Sequence, residues 1–96
     1  MRSTHLLDNF EFHNERPYAQ PLYVSEDGRV IRFMLKAGQS IVEHNAPSSP
    51  FYAVVVKGRG VFSGADGVER EFGPNDILIF DKGENRAVRA LDEELV

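Results

Sequence analysis

The sequence predicts an all-β protein, a barrel or sandwich of short antiparallel strands. Three observations point to this fold class: eight or nine short apolar or alternating runs follow one another closely, turn residues separate them, and no stretch carries a long helical pattern. The 96 residues correspond to a single domain. We divide it into an N-terminal arm, residues 1–20, and one β-barrel domain, residues 21–96.

The expected strands alternate with turns built from glycine, proline, asparagine and aspartate. Pro21 places the first strand at a sheet edge, because proline cannot donate a ladder hydrogen bond. Asp27-Gly28 is a hairpin signal. In the arm, the spacing of Leu6, Leu7 and Phe10 allows one helical turn. Strands are expected at residues 22–24, 30–36, 41–44, 51–56, 61–63, 68–72, 77–80 and 86–91.

Composition and charge exclude several classes of protein. The net charge of -4 argues against a nucleic-acid-binding protein, which would carry a clustered basic surface. The chain has no cysteine, and therefore no disulfide, no thiol nucleophile and no thiolate metal site. No apolar run approaches the ~20 residues that cross a bilayer, and the N-terminus lacks the pattern of a signal peptide. We expect a cytoplasmic protein with neither a nucleic-acid nor a membrane partner.

Two spacings anchored on glycines run through residues 38–90. In the first, five residues separate Gly38 from His44, and Ala46 stands two positions after that histidine. Phe51 stands seven positions before Gly58, which closes the spacing.

The second spacing begins at Asn75 and includes Gly83. Asp81 stands two positions before Gly83, and Arg86 and Ala90 stand three and seven positions after it. Together the two spacings resemble the two sequence motifs of the cupin family, small β-barrels of the jelly-roll type.

The resemblance implies an RmlC-like jelly-roll β-barrel with a central pocket, and usually a dimer. In the family pattern the positions of His44, Ala46, Phe51 and Arg86 hold metal ligands. Only His44 keeps a metal-binding side chain, because alanine and phenylalanine have no donor atom and guanidinium has no free lone pair. We therefore expect no bound metal and no cofactor.

The expected ligand-binding pocket consists of His44, Arg86, Phe51, Ala53, Arg32 and Met34. His44 can donate a hydrogen bond that is stronger when the ring is protonated, so ligand binding is expected to weaken as the pH rises. Glu43 is expected to point away from His44 in an extended strand. Arg86 can bind a carboxylate with its planar fork, or it can reach solvent or pair with Asp81 or Glu84.

Apolar side chains are expected to form the remaining wall of this pocket. Phe51 and Ala53 would face the interior together. Along strand 30–36, the alternation of side chains places Phe33 and Leu35 on the core face. Arg32 and Met34 share the other face of this strand, and we assign both to the cavity.

Three classes of function fit these residues. The preferred interpretation is a metal-free domain that binds or senses a small molecule, with an anionic organic acid as the candidate ligand. The alternatives are a metal-dependent enzyme of the dioxygenase or isomerase type, and a structural module that only dimerises. No Ser-His-Asp set, carboxylate pair or phosphate loop is evident, so the sequence names no catalytic residue. Because Leu95-Val96 resumes an apolar pattern, we expect an open strand edge there and a homodimer.

Overall fold

The computed structural model describes residues 1–43 and 49–96, and these residues contain eight β-strands and no helix. The strands are β1 (Tyr18–Ser25), β2 (Gly28–Met34), β3 (Ser40–Glu43), β4 (Phe51–Val54), β5 (Gly60–Ser63), β6 (Arg70–Phe72), β7 (Ile77–Phe80) and β8 (Arg86–Ala90). The predicted all-β class is confirmed. In place of the helical turn allowed for the arm, residues 6–9 form a non-helical turn.

The strands form two antiparallel layers. Strands β3, β8, β5 and β6 make one sheet in that spatial order. In the other layer β1 pairs with β2, and β4 pairs with β7. Within residues 1–43 and 49–96, β1 pairs only with β2, as predicted for an edge strand from Pro21. The layers together give the predicted jelly roll.

The last two residues join the halves of the second layer. The backbones of Leu35 and Leu95 exchange two hydrogen bonds of 2.9 Å. On the other side, Val96 accepts from the backbone nitrogen of Val56 and donates to the carbonyl oxygen of Lys57, both at 2.9 Å. Leu95–Val96 is therefore paired on both sides and is not the open edge that motivated the expected homodimer. The homodimer stays a prediction.

An apolar core fills the space between the layers. Its buried members are Leu35, Val55, Leu78, Phe80, Ala90 and Leu95. Partly buried side chains from both layers pack against them: Phe33, Ile41, Phe51, Ala53, Phe62, Phe72 and Val88. In β4 and β7, residues of the core alternate with exposed residues, as expected for strands with one face toward the core. The core face predicted for Phe33 and Leu35 is confirmed.

The guanidinium of Arg32 ties the N-terminal arm to the outer face of β2. Although arginine is charged, only 6% of Arg32 is exposed. Its nitrogens donate hydrogen bonds to the carbonyl oxygens of Leu6, Asp8 and Asn9 at 3.2, 2.8 and 3.1 Å. A fourth bond of 3.0 Å reaches Oε1 of Gln20 on β1. The chain itself therefore satisfies this cation.

Met34 lies on the same outer face and is fully buried. The backbone nitrogen of Glu11 in the arm lies 3.3 Å from its Sδ. The ring of Phe10 covers Arg32, with 5.6 Å between Cζ and the ring centroid. The prediction that Arg32 and Met34 line the cavity is wrong, because the intervening residues of β2 take the core face and these two face the arm.

Four turn positions of the two glycine-anchored spacings have positive φ angles. They are Gly38 (80°), Gly58 (80°), Asn75 (72°) and Gly83 (77°). Glycine adopts this left-handed region freely, and asparagine enters it more readily than most other residues. Asn75 can therefore replace a glycine without changing the turn. The path of the backbone constrains the residue type at these four positions. The turn residues of the resembled motifs can therefore be present although the metal ligands are absent.

Glu84 links two turns at one end of the barrel. Its Oε2 accepts a hydrogen bond from the backbone nitrogen of Ala65 at 2.7 Å, and its Oε1 accepts from that of Asp81 at 2.8 Å. These two amides hold the pKa of the Glu84 carboxyl below its usual value. The ionised carboxylate therefore stabilises the contact between the β5–β6 and β7–β8 turns.

Replacing Glu84 by glutamine should lower the melting temperature at pH 7, because an amide can accept only one of the two bonds. A depressed pKa means that the carboxylate stabilises the fold above the unfolded-state value of about 4.3 and loses that effect as the pH falls through the folded-state value. The difference between wild type and Glu84→Gln should therefore narrow in acid. Thermal unfolding between pH 7 and pH 3 measures this difference in melting temperature. A difference in melting temperature that is independent of pH would contradict this role of Glu84.

Candidate functional site

The pairing of β3 with β8 brings a carboxylate and a guanidinium together at one end of the inner face. Glu43 is the direct cross-strand partner of Arg86, and Ile41 is that of Val88. Ile41 and Val88 pack against the core. Since residues two apart on a strand share a face, Glu43 and Arg86 also lie on the inner face.

Glu43 and Arg86 form an ion pair between Oε2 and Nη2. The Arg86 side chain is 11% exposed, whereas that of Glu43 is 40% exposed. The partners considered for Arg86 from the sequence were Asp81 and Glu84, but Glu84 accepts hydrogen bonds from two backbone amides instead. The partly buried cation is therefore neutralised by the neighbouring strand.

Phe51 on β4 closes the other side of this guanidinium. The Cζ atom of Arg86 lies 3.8 Å from the centroid of the Phe51 ring, within the range of a cation–π contact. The same ring packs edge-on against Phe80, with centroids 5.9 Å apart and an interplanar angle of 62°. Phe51 thus separates the charged pair from the apolar core, and Ala53 packs against the core two positions further along β4.

The structure brings three of the six expected pocket residues to the interior: Phe51, Ala53 and Arg86. Arg32 and Met34 lie on the opposite face under the arm, as described above. His44 lies outside the described residues. Glu43 was not included in the expected pocket, although Ile41 and the alternation of β3 were sufficient to place it on the inner face.

The described residues do not fit a metal ion. In residues 1–43 and 49–96, no group of three or more histidine, cysteine, aspartate or glutamate side chains is placed to hold one. Phe51 and Arg86, which stand at ligand positions of the resembled motifs, contact each other instead. A guanidinium there places a permanent positive charge where a metal cation would bind, and it offers no lone pair.

Comparison with known proteins identifies the fold. No family model matches the sequence, and no curated protein matches it. Among solved structures, an RmlC-like cupin protein from Desulfovibrio desulfuricans has a TM-score of 0.86 and 26% identity, covering 99% of this chain and 92% of that chain. The chain has the fold of a small cupin domain.

Two further structures support this cupin fold. A conserved protein with a double-stranded β-helix domain from Klebsiella pneumoniae has a TM-score of 0.88 and 19% identity, covering 99% of this chain and 84% of that chain. A Cupin 2 conserved barrel domain protein from Salinispora arenicola has a TM-score of 0.71 and 22% identity, covering 99% and 83%. At these identities the likeness concerns the fold, and the function has to be argued from the site. The described residues of the cupin form no helix that could span a membrane.

A double-mutant cycle on Glu43→Gln and Arg86→Gln should reveal a strong coupling in this cupin. We expect about 1–3 kcal/mol, because one partner is largely withdrawn from water. The pair Arg89–Glu69 provides a matched control, since Arg89 lies on the same strand but the two side chains are 49% and 65% exposed and 3.5 Å apart. Its coupling should stay below about 0.5 kcal/mol. Equal couplings from denaturant unfolding would contradict the special position of the inner pair.

Proposed function

We propose that this cupin is a metal-free domain that binds a small organic acid at the inner-face end where Glu43, Phe51 and Arg86 meet. The observation that carries the proposal is the Arg86 guanidinium, which is held against an aromatic ring beside an apolar core. A few convergent polar groups at the edge of an apolar interior are typical of small-molecule sites.

The chemistry of the site suits a carboxylate that carries an apolar body. The planar fork of arginine matches a carboxylate with two parallel hydrogen bonds. Phe51 and Ala53 would contact the apolar part of the ligand. The guanidinium also disfavours a metal cation at this place, which supports the metal-free character and makes an enzyme that depends on a metal at Arg86 a weaker candidate.

Glu43 occupies the place that the ligand carboxylate would take. An anion beside the intact pair would meet the negative charge of Glu43, so binding requires that Glu43 release Arg86. Glu43 is well suited to this exchange, because 40% of its side chain is already exposed and can be hydrated when it turns outward. The exchange would also allow the domain to sense its ligand through a change at the end of β3.

A screen of small acids by thermal shift and calorimetry tests the proposal. Benzoate, phenylacetate and short aliphatic acids should stabilise the wild type, whereas their amides should not. Arg86→Gln should abolish the response. Glu43→Gln should bind the same acid at least about 10-fold more tightly, since the competing carboxylate is gone and 1.4 kcal/mol corresponds to a factor of ten.

Arg89→Gln is the matched control, because it removes an exposed arginine from the same strand and should leave binding unchanged. If no acid stabilises the wild type at millimolar concentration, or if Arg86→Gln binds as well as the wild type, the proposed site is wrong. Weaker binding by Glu43→Gln would show that Glu43 is part of the ligand contact and not its competitor.

A further inference from the structure

Residues 6–14 of the N-terminal arm, which we call the strap, are held on the outer face of β2 by side chains of the barrel. At one end, Arg32 donates hydrogen bonds to three backbone carbonyls of the strap. At the other end, Nε2 of Gln39 donates to the carbonyl oxygen of His13 at 2.7 Å. Within residues 1–43 and 49–96, no backbone-to-backbone hydrogen bond joins the strap to a strand. The strap can therefore lift without breaking the ladder of any sheet.

Phe10, in the middle of the strap, is half-buried and contacts two cations of the barrel. Its ring centroid lies 5.6 Å from Cζ of Arg32 and 6.0 Å from Nζ of Lys57. Both distances are within the range of a cation–π contact. Because Lys57 belongs to the segment that pairs with Val96 and not to β2, this ring connects the strap to a second part of the layer.

The burial of Arg32 does not by itself lock the strap in place. In the described parts of the chain, no carboxylate forms an ion pair with Arg32. Its hydrogen-bond partners are neutral oxygens. If the strap lifts, water can replace the carbonyl oxygens as acceptors, and a hydrated cation carries no burial penalty. The main costs of opening are therefore the contacts of Phe10 and the exposure of Met34.

We propose that the strap opens as one unit while the barrel stays folded, and that Phe10 is the latch that holds it closed. Local opening is expected for a segment with few buried apolar contacts and no ladder hydrogen bonds. Opening uncovers the Arg32 guanidinium beside the apolar Met34 side chain. The closed molecule hides this surface, since Arg32 is 6% and Met34 0% exposed. The strap therefore controls access to it.

This opening is independent of the proposed ligand site. Arg32 and Met34 face the strap, whereas Phe33 and Leu35 of the same strand pack in the core. Lifting the strap leaves the core, Phe51 and Arg86 in place. A strap that does not open would not affect the organic-acid proposal, and the reverse is equally true.

Proteolysis after Glu11 by a glutamate-specific protease tests the proposal on the full chain. Each cleavage rate is divided by that of a free peptide of residues 1–16 with the same substitution. Phe10→Ala should raise this ratio at least about 10-fold, because it removes both cation–π contacts and the apolar contact of the ring. Leu7→Ala is the matched control, since Leu7 lies in the strap but is 58% exposed, and it should leave the ratio unchanged. Equal ratios for the two variants would overturn the latch.

A core variant separates opening of the strap from unfolding of the barrel. Phe72 packs against the core from the other layer, and Phe72→Leu should lower the melting temperature by about 4–8 °C for each kcal/mol lost. It should leave cleavage after Glu11 unchanged. In wild type, low concentrations of urea should also change this cleavage little, because local opening exposes little surface. Cleavage that rises with Phe72→Leu, or with urea as steeply as global unfolding, would overturn the proposal.

Chemical labelling tests whether opening uncovers Arg32. Phenylglyoxal modifies accessible arginines, and mass spectrometry identifies each modified residue. Arg32 should be labelled at least about 10-fold faster in Phe10→Ala than in wild type or Leu7→Ala, in proportion to the open population. Arg89, whose side chain is 49% exposed, is the internal control and should react at the same rate in all three. Circular dichroism and the melting temperature establish that each variant folds. Labelling of Arg32 that Phe10→Ala does not accelerate would overturn the proposal.

Discussion

The backbone pairing of Leu95–Val96 is the interaction on which the rest of the structure depends. These two residues hydrogen-bond to Leu35 on one side and to Val56 and Lys57 on the other, and so make one layer from two strand pairs. The approach is close enough to restrict the sequence around it. A Cβ on Gly58 would overlap the carbonyl oxygen of Glu94, and one on Gly60 would lie 2.7 Å from the Leu95 side chain. Glycine is therefore required at position 58, where the φ angle is also positive, whereas a side chain at position 60 would have to displace the buried Leu95 side chain.

In the layer that Leu95–Val96 completes, the two faces of β4 lie in different environments. Its inner side chains, Phe51 and Ala53, pack against the core that includes Leu95. The Phe51 ring also contacts the Arg86 guanidinium. Its outer side chains, Tyr52 and Val54, reach solvent. One strand thus holds part of the proposed ligand site on one side and exposed apolar side chains on the other. Successive side chains of a strand point to opposite faces of the sheet, so a strand of four residues can contribute two side chains to each face.

Strands and turns could be predicted from the sequence because their signals are local. Alternation identified Phe33 and Leu35, and the glycine-anchored spacings coincide with four backbone positions of positive φ angle. The contacts made by Arg32 and Arg86 could not be predicted in this way. Packing between segments far apart in the chain decides which face of β2 the arm covers. It also decides which acidic residue pairs with Arg86. Alternation separates the two faces of a strand but does not say what covers them, so Arg32 and Met34 were assigned to the wrong environment.

This cupin has a guanidinium where the motifs it resembles place a metal ligand. Arg86 rests on Phe51 and pairs with Glu43, and neither Phe51 nor Arg86 can donate a lone pair to a metal. Elemental analysis of metal-treated protein can test whether a metal binds here. Purified protein is incubated with iron(II), manganese(II) or zinc(II), exchanged into metal-free buffer and analysed for bound metal. Well under one equivalent of each metal should remain bound. One equivalent of a transition metal that is lost in His44→Ala would contradict it.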